Sequence, residues 1–318
     1  MNLQTELAPH HKSGLLLKNP VLMAAGTFGY GVENAKIAEV QRLGAVVSKG
    51  TTLHARKGNE QPRIVETSAG MLNAIGLQNP GVHKVISKYA PMWAAWDTPV
   101  IVNIAGEDIE EFVQIVEQLE GVAGVAGIEV NVSCPNVRAG GAVFGADPQA
   151  VFDVTAALRI ATTLPLIVKL SPNTGDVRPT ALAAAEAGAD AVSLINTITG
   201  MSIDIHTRNR TLANGTGGLS GPSVKPIALR LVYEVAQELR ISYPQVPIIG
   251  LGGIGSANDA LEFLMAGASA VEIGTANFVN PRIGVEIVEG IEAFLEREGI
   301  ENVKEIVGAA LKAMVSCF

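Results

Sequence analysis

An α/β chain forming a single (β/α)8 TIM barrel, with extended βα loops over the carboxyl ends of the strands, is the fold that this sequence predicts. Three observations predict it. Eight short apolar, β-branched runs recur along the 318 residues. Helical patterns separate them, and eight strand–helix units in about this length is the barrel's signature. No low-complexity linker or composition break divides the chain, so residues 1–318 read as one domain. An open doubly wound sheet is the alternative, since periodicity alone does not show closure.

In chain order, the strand candidates are Val21–Ala24, Ala45–Ser48, Val100–Ile104, Ile128–Val132, Leu166–Leu170, Ala191–Ile195, Pro247–Leu251 and Ala270–Ile273. Their short, uniformly apolar character suits parallel strands buried on both faces. Helices are expected at Val32–Leu43, Asp108–Glu120, Pro148–Thr162, Asp176–Ala187, Pro222–Ser242 and Ala257–Ala266. Two more, Arg282–Glu298 and Val303–Met314, close the chain. The segments Thr51–Pro91 and Thr197–Pro222 are too long for plain βα loops, and long insertions at strand ends usually carry function.

Composition narrows the function classes. The chain is 48% hydrophobic and 17% charged, enough to bury a large core, and its formal charge of −8 argues against a nucleic-acid surface. Cys134 and Cys317 give neither a disulfide framework nor a metal spacing, which fits a reducing cytoplasm. The start lacks the pattern of a signal peptide. Leu15-Leu16-Leu17 is too short to span a membrane, as is every other apolar stretch. These features predict a soluble protein.

The chemistry centres on Asn131-Val132-Ser133-Cys134-Pro135-Asn136. It follows the apolar run Gly127–Val130 and precedes the glycine-rich segment Arg138–Gly145. A strand ending in small polar groups and a thiol presents them where barrel ligands sit. A buried cysteine acting as a small hydrophobe is the plainer alternative. Other strands also stop at polar residues: Lys49, Asn103, Lys169 and Asn196-Thr197. A lysine inside an apolar strand is hard to explain by packing, because burying an unpaired ammonium is costly. Gathered at one barrel mouth, these ends describe a polar pocket with two cations, suited to a ligand that is anionic or becomes so.

Gly250-Leu251-Gly252-Gly253-Ile254-Gly255 matches a dinucleotide-binding glycine pattern, with Glu272 near the acidic position of that motif. Its place in the chain favours another reading. It opens the seventh strand–helix unit, and the eighth strand ends in a second turn, Gly274-Thr275. Paired turns there form the usual barrel phosphate site, which points to a phosphorylated cofactor rather than NAD. Glycines required only for tight turns remain the structural alternative. Asn73–Pro80, in the long segment after the second strand, reads alone as a turn-rich stretch beside Met71 and Leu72.

Together these motifs resemble the class 1 dihydroorotate dehydrogenases, specifically the class 1B catalytic subunits. The resemblance rests on Asn131–Asn136, Asn73–Leu77, Gly218–Arg230, Gly250–Gly255 and Ile273-Gly274-Thr275, and it covers almost the whole chain. It implies an FMN-containing barrel that oxidises dihydroorotate to orotate in pyrimidine synthesis. By motif, Cys134 would be the catalytic base that takes the C5 proton while hydride passes from C6 to the flavin. Substrate contacts would come from Lys49, Asn73, Ala74, Ile75, Gly76, Leu77, Asn131, Asn196 and Thr197. Cofactor contacts would come from Ala25, Gly26, Lys49, Gly50, Asn103, Asn131, Lys169, Ile195 and Gly221, with Gly252, Gly253, Gly274 and Thr275 at the phosphate. Ala25-Gly26 stands where relatives often have Ser-Gly, so a hydroxyl contact is lost there.

The subclass implies the electron acceptor. Class 2 enzymes use serine as base and carry a membrane-associating extension that this chain lacks. Class 1A enzymes reduce fumarate as homodimers, whereas the loop Val137–Pro148 is similar to class 1B. Class 1B subunits pass electrons to NAD through a partner carrying FAD and a 2Fe–2S cluster, in a heterotetramer of two catalytic and two electron-transfer subunits. The chain has no cysteine cluster for such a centre. Rival readings are a class 1A enzyme, a dihydropyrimidine dehydrogenase-like flavin domain, or a barrel that binds FMN without catalysis. No nucleic-acid, membrane or metal role is expected.

Overall fold

The computed structural model describes residues 1–133, 135–136 and 142–311. Cys134, the 137–141 part of the following loop, and Cys317 lie outside the described residues. Eight parallel strands close into a barrel: β1 (Val21–Met23), β2 (Ala45–Val47), β3 (Val100–Ile104), β4 (Gly127–Asn131), β5 (Leu166–Lys169), β6 (Ala191–Leu194), β7 (Ile248–Leu251) and β8 (Ala270–Ile273). Each pairs with its sequence neighbour, and β8 returns to β1 through Val271↔Val21 and Ile273↔Met23. Every expected strand is present to within a residue or so at its ends.

Strand alternation sorts the apolar residues into two cores. Val21, Met23, Val46, Val100, Val102, Ile128, Val130, Val168 and Val192 point outward and pack beneath the helices. Leu22, Ala45, Val47, Ile101, Ile167, Ala191, Ile249 and Ala270 point inward. The inner core is completed from the amino end of the barrel by Leu7, Ala8, Leu15 and Leu17. These come from a hairpin in which Thr5–Glu6 pairs with Leu16–Leu17. The leucine run that is too short for a membrane therefore supplies part of the barrel's plug.

The helices that brace the outside begin and end on local signals. Asp108 caps Ile109–Leu119 by accepting from Glu111 N–H, Asp147 caps Pro148–Ala161, and Ser256 caps Ala257–Met265. Arg178–Glu186, Lys225–Ser242 and Ile283–Glu298 complete the ring, the last stopped by Gly299 at φ +68°. Two expected helices are corrected. Within Val32–Leu43 only the 3-10 turn Val40–Arg42 forms, because Glu39 adopts a left-handed backbone, φ 48°, that breaks helical hydrogen bonding. Within Val303–Met314 the described part is two short 3-10 turns, Val303–Glu305 and 309–311, separated by a turn in which Gly308 adopts φ +69°; residues 312–314 lie outside the described residues. Among the described residues no helix is long and apolar enough to cross a membrane.

The two long segments at the carboxyl ends of β2 and β6 meet. Ile64–Thr67, Gly70–Asn73, Thr216–Ser220 and Ile198–Met201 form one antiparallel sheet, with Gly218 opposite both Asn73 and Thr199. Segments well over a hundred residues apart in sequence thus share one layer at the strands' carboxyl ends. The sheet has its own small core of Leu72, Ala74 and Leu212.

Candidate active site

Inside the barrel, above the apolar plug, the inward positions turn polar. Asn103 on β3, Glu129 on β4, Lys169 on β5, Ser193 on β6 and Glu272 on β8 are all buried. Glu129 accepts from Asn103 Nδ2 at 2.6 Å, Ser193 Oγ at 2.8 Å and Lys169 Nζ at 3.3 Å. Lys169 Nζ also lies 3.2 Å from Glu272 Oε2, so one ammonium bridges two carboxyl groups. Burial pulls the Lys169 pKa down, but the two glutamates outweigh it and leave the ammonium above its ordinary value. Burial, reinforced by Glu129 and opposed by Lys169, pushes the Glu272 carboxyl well above the usual range. The sequence motifs mark neither Glu129 nor Ser193, and they place Glu272 only near a ribose-binding acidic position. An acid inside each of two apolar strands was the available signal.

One step nearer the mouth lies a second polar group. Asn196 Nδ2 donates to Asn131 Oδ1 at 3.1 Å and to Ser133 Oγ at 3.0 Å, and Ser133 N–H returns to Asn131 Oδ1 at 3.1 Å. Asn196 Oδ1 accepts from Thr197 N–H at 2.7 Å, which fixes its orientation. Cys134, the expected base, follows Ser133 directly in the chain but lies outside the described residues.

Asn73 ends its strand of the covering sheet and donates to Gly218 O at 3.3 Å. The adjoining Ala74–Leu77 stretch is held by two asparagines. Asn59 donates to Ala74 O at 3.0 Å, and its N–H reaches Ile75 O at 3.0 Å. The buried Asn79 donates to Leu77 O at 2.7 Å and to Thr52 Oγ1 at 2.8 Å, and accepts from Gly81 N–H at 2.8 Å. Gly76 at φ +72° and Leu77 at φ 54° need this support, since Leu77 is not a residue that favours such a backbone. A side chain at Gly50 would lie 3.5 Å from Leu77 Cδ2 and 3.0 Å from Asn103 Oδ1, so Gly50 links the motif to the polar layer. Lys49 is half-buried and its ammonium has no ion-pair or hydrogen-bond partner among the described residues. Burial, then Arg63, lowers its pKa against the pull of Glu33.

The glycine turns divide into two kinds. Gly253, at φ +75°, is required by the chain itself: a Cβ there would lie 2.8 Å from Lys225 N and 2.9 Å from Gly221 O. Gly252, at φ +119°, would meet Ala228 Cβ at 2.7 Å and Ile195 Cγ1 at 3.3 Å. Gly274 is different, because its nearest neighbours, Ala24 Cβ and Thr27, stand 3.8–4.0 Å away. Gly26, at φ +89°, has nothing within 4 Å. The Gly253, Gly274 and Thr275 N–H groups take no acceptor among the described residues. Thr275 Oγ1 donates to Ser220 Oγ at 2.8 Å, joining the β8 turn to the strand that leads into Gly221. Open space beside unused N–H donors is what an oxyanion group of a ligand requires. Ala25 is half-buried beside Gly26. The layout thus comprises four groups, the polar layer, the Asn131–Ser133–Asn196 amides, the Asn73–Leu77 stretch and the glycine turns, with Lys49 alongside.

A (β/α)8 barrel that gathers buried ionisable and amide groups at the carboxyl end of its strands belongs, by architecture, with the barrel enzymes. Comparison with known proteins is more specific. A family model described as dihydroorotate dehydrogenase matches residues 9–295. The chain is 52% identical over 299 residues to the catalytic subunit of dihydroorotate dehydrogenase B (NAD(+)) of Geotalea uraniireducens, covering 94% of this chain and 96% of that one. It is 54% identical to the protein of the same name in Pelobacter propionicus, covering 93% and 96%. It is 51% identical to the one in Thermoanaerobacter pseudethanolicus, covering 97% and 99%. The chain belongs to the dihydroorotate dehydrogenase family.

Proposed function

We propose that this chain is a catalytic subunit that oxidises dihydroorotate to orotate in pyrimidine biosynthesis and delivers the electrons through a separate subunit to NAD+. The observation that carries this reading is the near-full-length match, at about half identity, to relatives named as catalytic subunits of the NAD+-linked enzyme. The family and that name imply a flavin-dependent enzyme, and FMN is the flavin that the residues fit. Gly26 and Gly274 leave open space, and the Gly253, Gly274 and Thr275 N–H groups are free for a phosphate, with Gly252 in the adjoining turn. Ala25, Gly50, Ile195 and Gly221 would line the remainder, with Asn103, Asn131 and Lys169 as polar contacts. When bound, FMN supplies the acceptor for the hydride that leaves C6 of the substrate.

The chain's own residues do the rest. Cys134 takes the proton from C5, a task a thiol can perform near neutral pH because its ordinary pKa is about 8.5. The loss of one hydride and one proton leaves the C5–C6 double bond of orotate. Asn73, Ala74–Leu77, Asn196 and Thr197 hold the substrate's carboxylate and ring amides. The orientation of Asn196 by Thr197 N–H, and of Asn131 by Ser133 N–H, supports a prearranged set of amides. Lys49, half-buried without an ion-pair partner among the described residues, offers a cation to the substrate carboxylate. The expected setting is the cytoplasm, with FAD and a 2Fe–2S cluster on the partner subunit in a two-plus-two assembly. Among the described residues no His, Cys, Asp or Glu group suited to a metal is present.

Anaerobic titration of the purified chain with dihydroorotate tests the reading. The bound flavin should lose its visible absorbance, while NAD+ is reduced only after an FAD and iron–sulfur subunit is added. A flavin that dihydroorotate leaves oxidised would overturn the assignment. Fast turnover with fumarate by the chain alone would move it to the fumarate-reducing class.

A further inference from the structure

Three buried ionisable side chains share one layer of the barrel: one ammonium, Lys169, and two carboxyl groups, Glu129 and Glu272. A net charge left unpaired there is expensive. The surroundings of the two acids are unequal. Both oxygens of Glu129 are occupied, Oε1 by Ser193 Oγ and Oε2 by Asn103 Nδ2 and Lys169 Nζ. Glu272 accepts only from Lys169, through Oε2; its other polar neighbour is the Glu129 carboxyl, and its Oε1 has no donor among the described residues. The residues opposite Glu272 on the flanking strands are Leu251 and Leu22. Three donated hydrogen bonds suit an anion; two leucines and a vacant oxygen suit a neutral acid.

We propose that Glu129 is the carboxylate and Glu272 a neutral acid, and that both are positioning residues which fix Lys169 and hold the layer under the flavin at zero net charge, thereby setting the flavin's reduction potential. The inference rests on the reading that Lys169 faces the flavin. Two-electron reduction adds negative charge to the cofactor, so the charge of this layer acts on the reduced form. A layer at −1 would oppose reduction, and a layer at +1 would over-stabilise the reduced form and hinder electron release. Neutrality at Glu272 leaves Lys169 balanced by a single anion. The upward shift of the Glu272 carboxyl, caused first by burial and then by Glu129, agrees with the inequality seen in the contacts.

Infrared spectroscopy and redox titration of the flavin-loaded protein test this together. The wild type should show the carbonyl stretch of a buried protonated carboxylic acid, and Glu272→Gln should remove it. Because glutamine keeps both shape and charge, Glu272→Gln should change the flavin reduction equilibrium by less than about threefold. Adding Glu129→Gln to it leaves Lys169 without an anion. That double variant should favour reduced flavin by tenfold or more, about 30 mV for a two-electron couple. The absence of the acid band, or its survival in Glu272→Gln, would overturn the proposal. So would a tenfold shift from Glu272→Gln alone, or an unchanged equilibrium in the double variant. Should the double variant fail to fold, the band and the single variant still decide. A protein that carries no flavin would sink the functional reading instead, and the infrared band would still report the protonation states.

Discussion

The two ends of this barrel are built from the same strands under the same alternation, yet they carry opposite contents. At the amino end the inward residues Ala45, Ile101, Ile167, Ala191, Ile249 and Ala270 meet Leu7, Leu15 and Leu17 in an apolar plug. Further along, the inward positions become Asn103, Glu129, Lys169, Ser193 and Glu272, which are buried just as deeply. Burying apolar groups stabilises the fold directly, whereas burying an ion pair roughly breaks even at best. The polar layer therefore has no stability rationale of its own. Its position beneath Asn131 and Asn196 is the reason we propose a functional one.

Breaking each end should have different consequences. The largest effect is expected at Lys169. Lys169→Met leaves two carboxyl groups buried without their cation, and loss of one partner from a buried pair costs about 3–5 kcal/mol. Denaturant unfolding should show that loss, and the purified variant should retain little flavin. Leu17→Ala, at a fully buried plug position, should cost about 2–5 kcal/mol by opening a cavity. Its flavin content and its rate of flavin reduction by dihydroorotate should match the wild type. Reduced flavin retention in Leu17→Ala at temperatures where it remains folded would blur the separation of the two ends.

The glycine turns sharpen the comparison further. Gly253→Val should lose both stability and flavin, because its Cβ would meet Lys225 N and Gly221 O in the chain itself. Gly274→Ala meets only ordinary contacts, so its unfolding free energy should stay within about 0.5 kcal/mol of wild type. Its flavin affinity should nevertheless fall by tenfold or more, read by equilibrium dialysis. Unchanged affinity would mean that Gly274 does not border the phosphate.

A smaller effect concerns pH. Glu272 holds its proton in the folded chain well above the ordinary glutamate range, chiefly through burial. Its contribution to stability is therefore fully present below the unfolded value of about 4.3. That contribution is lost progressively as pH rises through the folded value, since the unfolded chain releases the proton first. Glu272→Gln lacks this loss, so unfolding curves should show the variant gaining on the wild type as pH is raised from acid to neutral. Parallel pH profiles would contradict a neutral buried Glu272.

Much of the barrel was legible because its strands are short apolar runs whose ends stop at polar residues. Lys169 stood out for a physical reason, a charge within Leu166–Lys169. The same reason applied to Glu129 in Gly127–Asn131 and Glu272 in Ala270–Ile273, but local sequence does not reveal that β4, β5 and β8 bring their inward side chains together. Only closure of the barrel does. The covering sheet was hidden for a similar cause: pairing of Gly70–Asn73 with Thr216–Ser220 is long-range, and neither segment has strong strand periodicity. The failed helix at Val32–Leu43 is the converse case. Its pattern is helical, yet Glu39 turns left-handed. From there Val40 and Leu43 enter the outer core.

The functional end of the barrel is tested most directly by rapid mixing of the flavin-loaded Cys134→Ala chain with dihydroorotate, monitored at the flavin's visible band. The variant should retain its flavin and its fold while the flavin is reduced more slowly than in wild type by roughly 10²–10⁴-fold, the contribution of a general base. Reduction at the wild-type rate would contradict proton removal by Cys134.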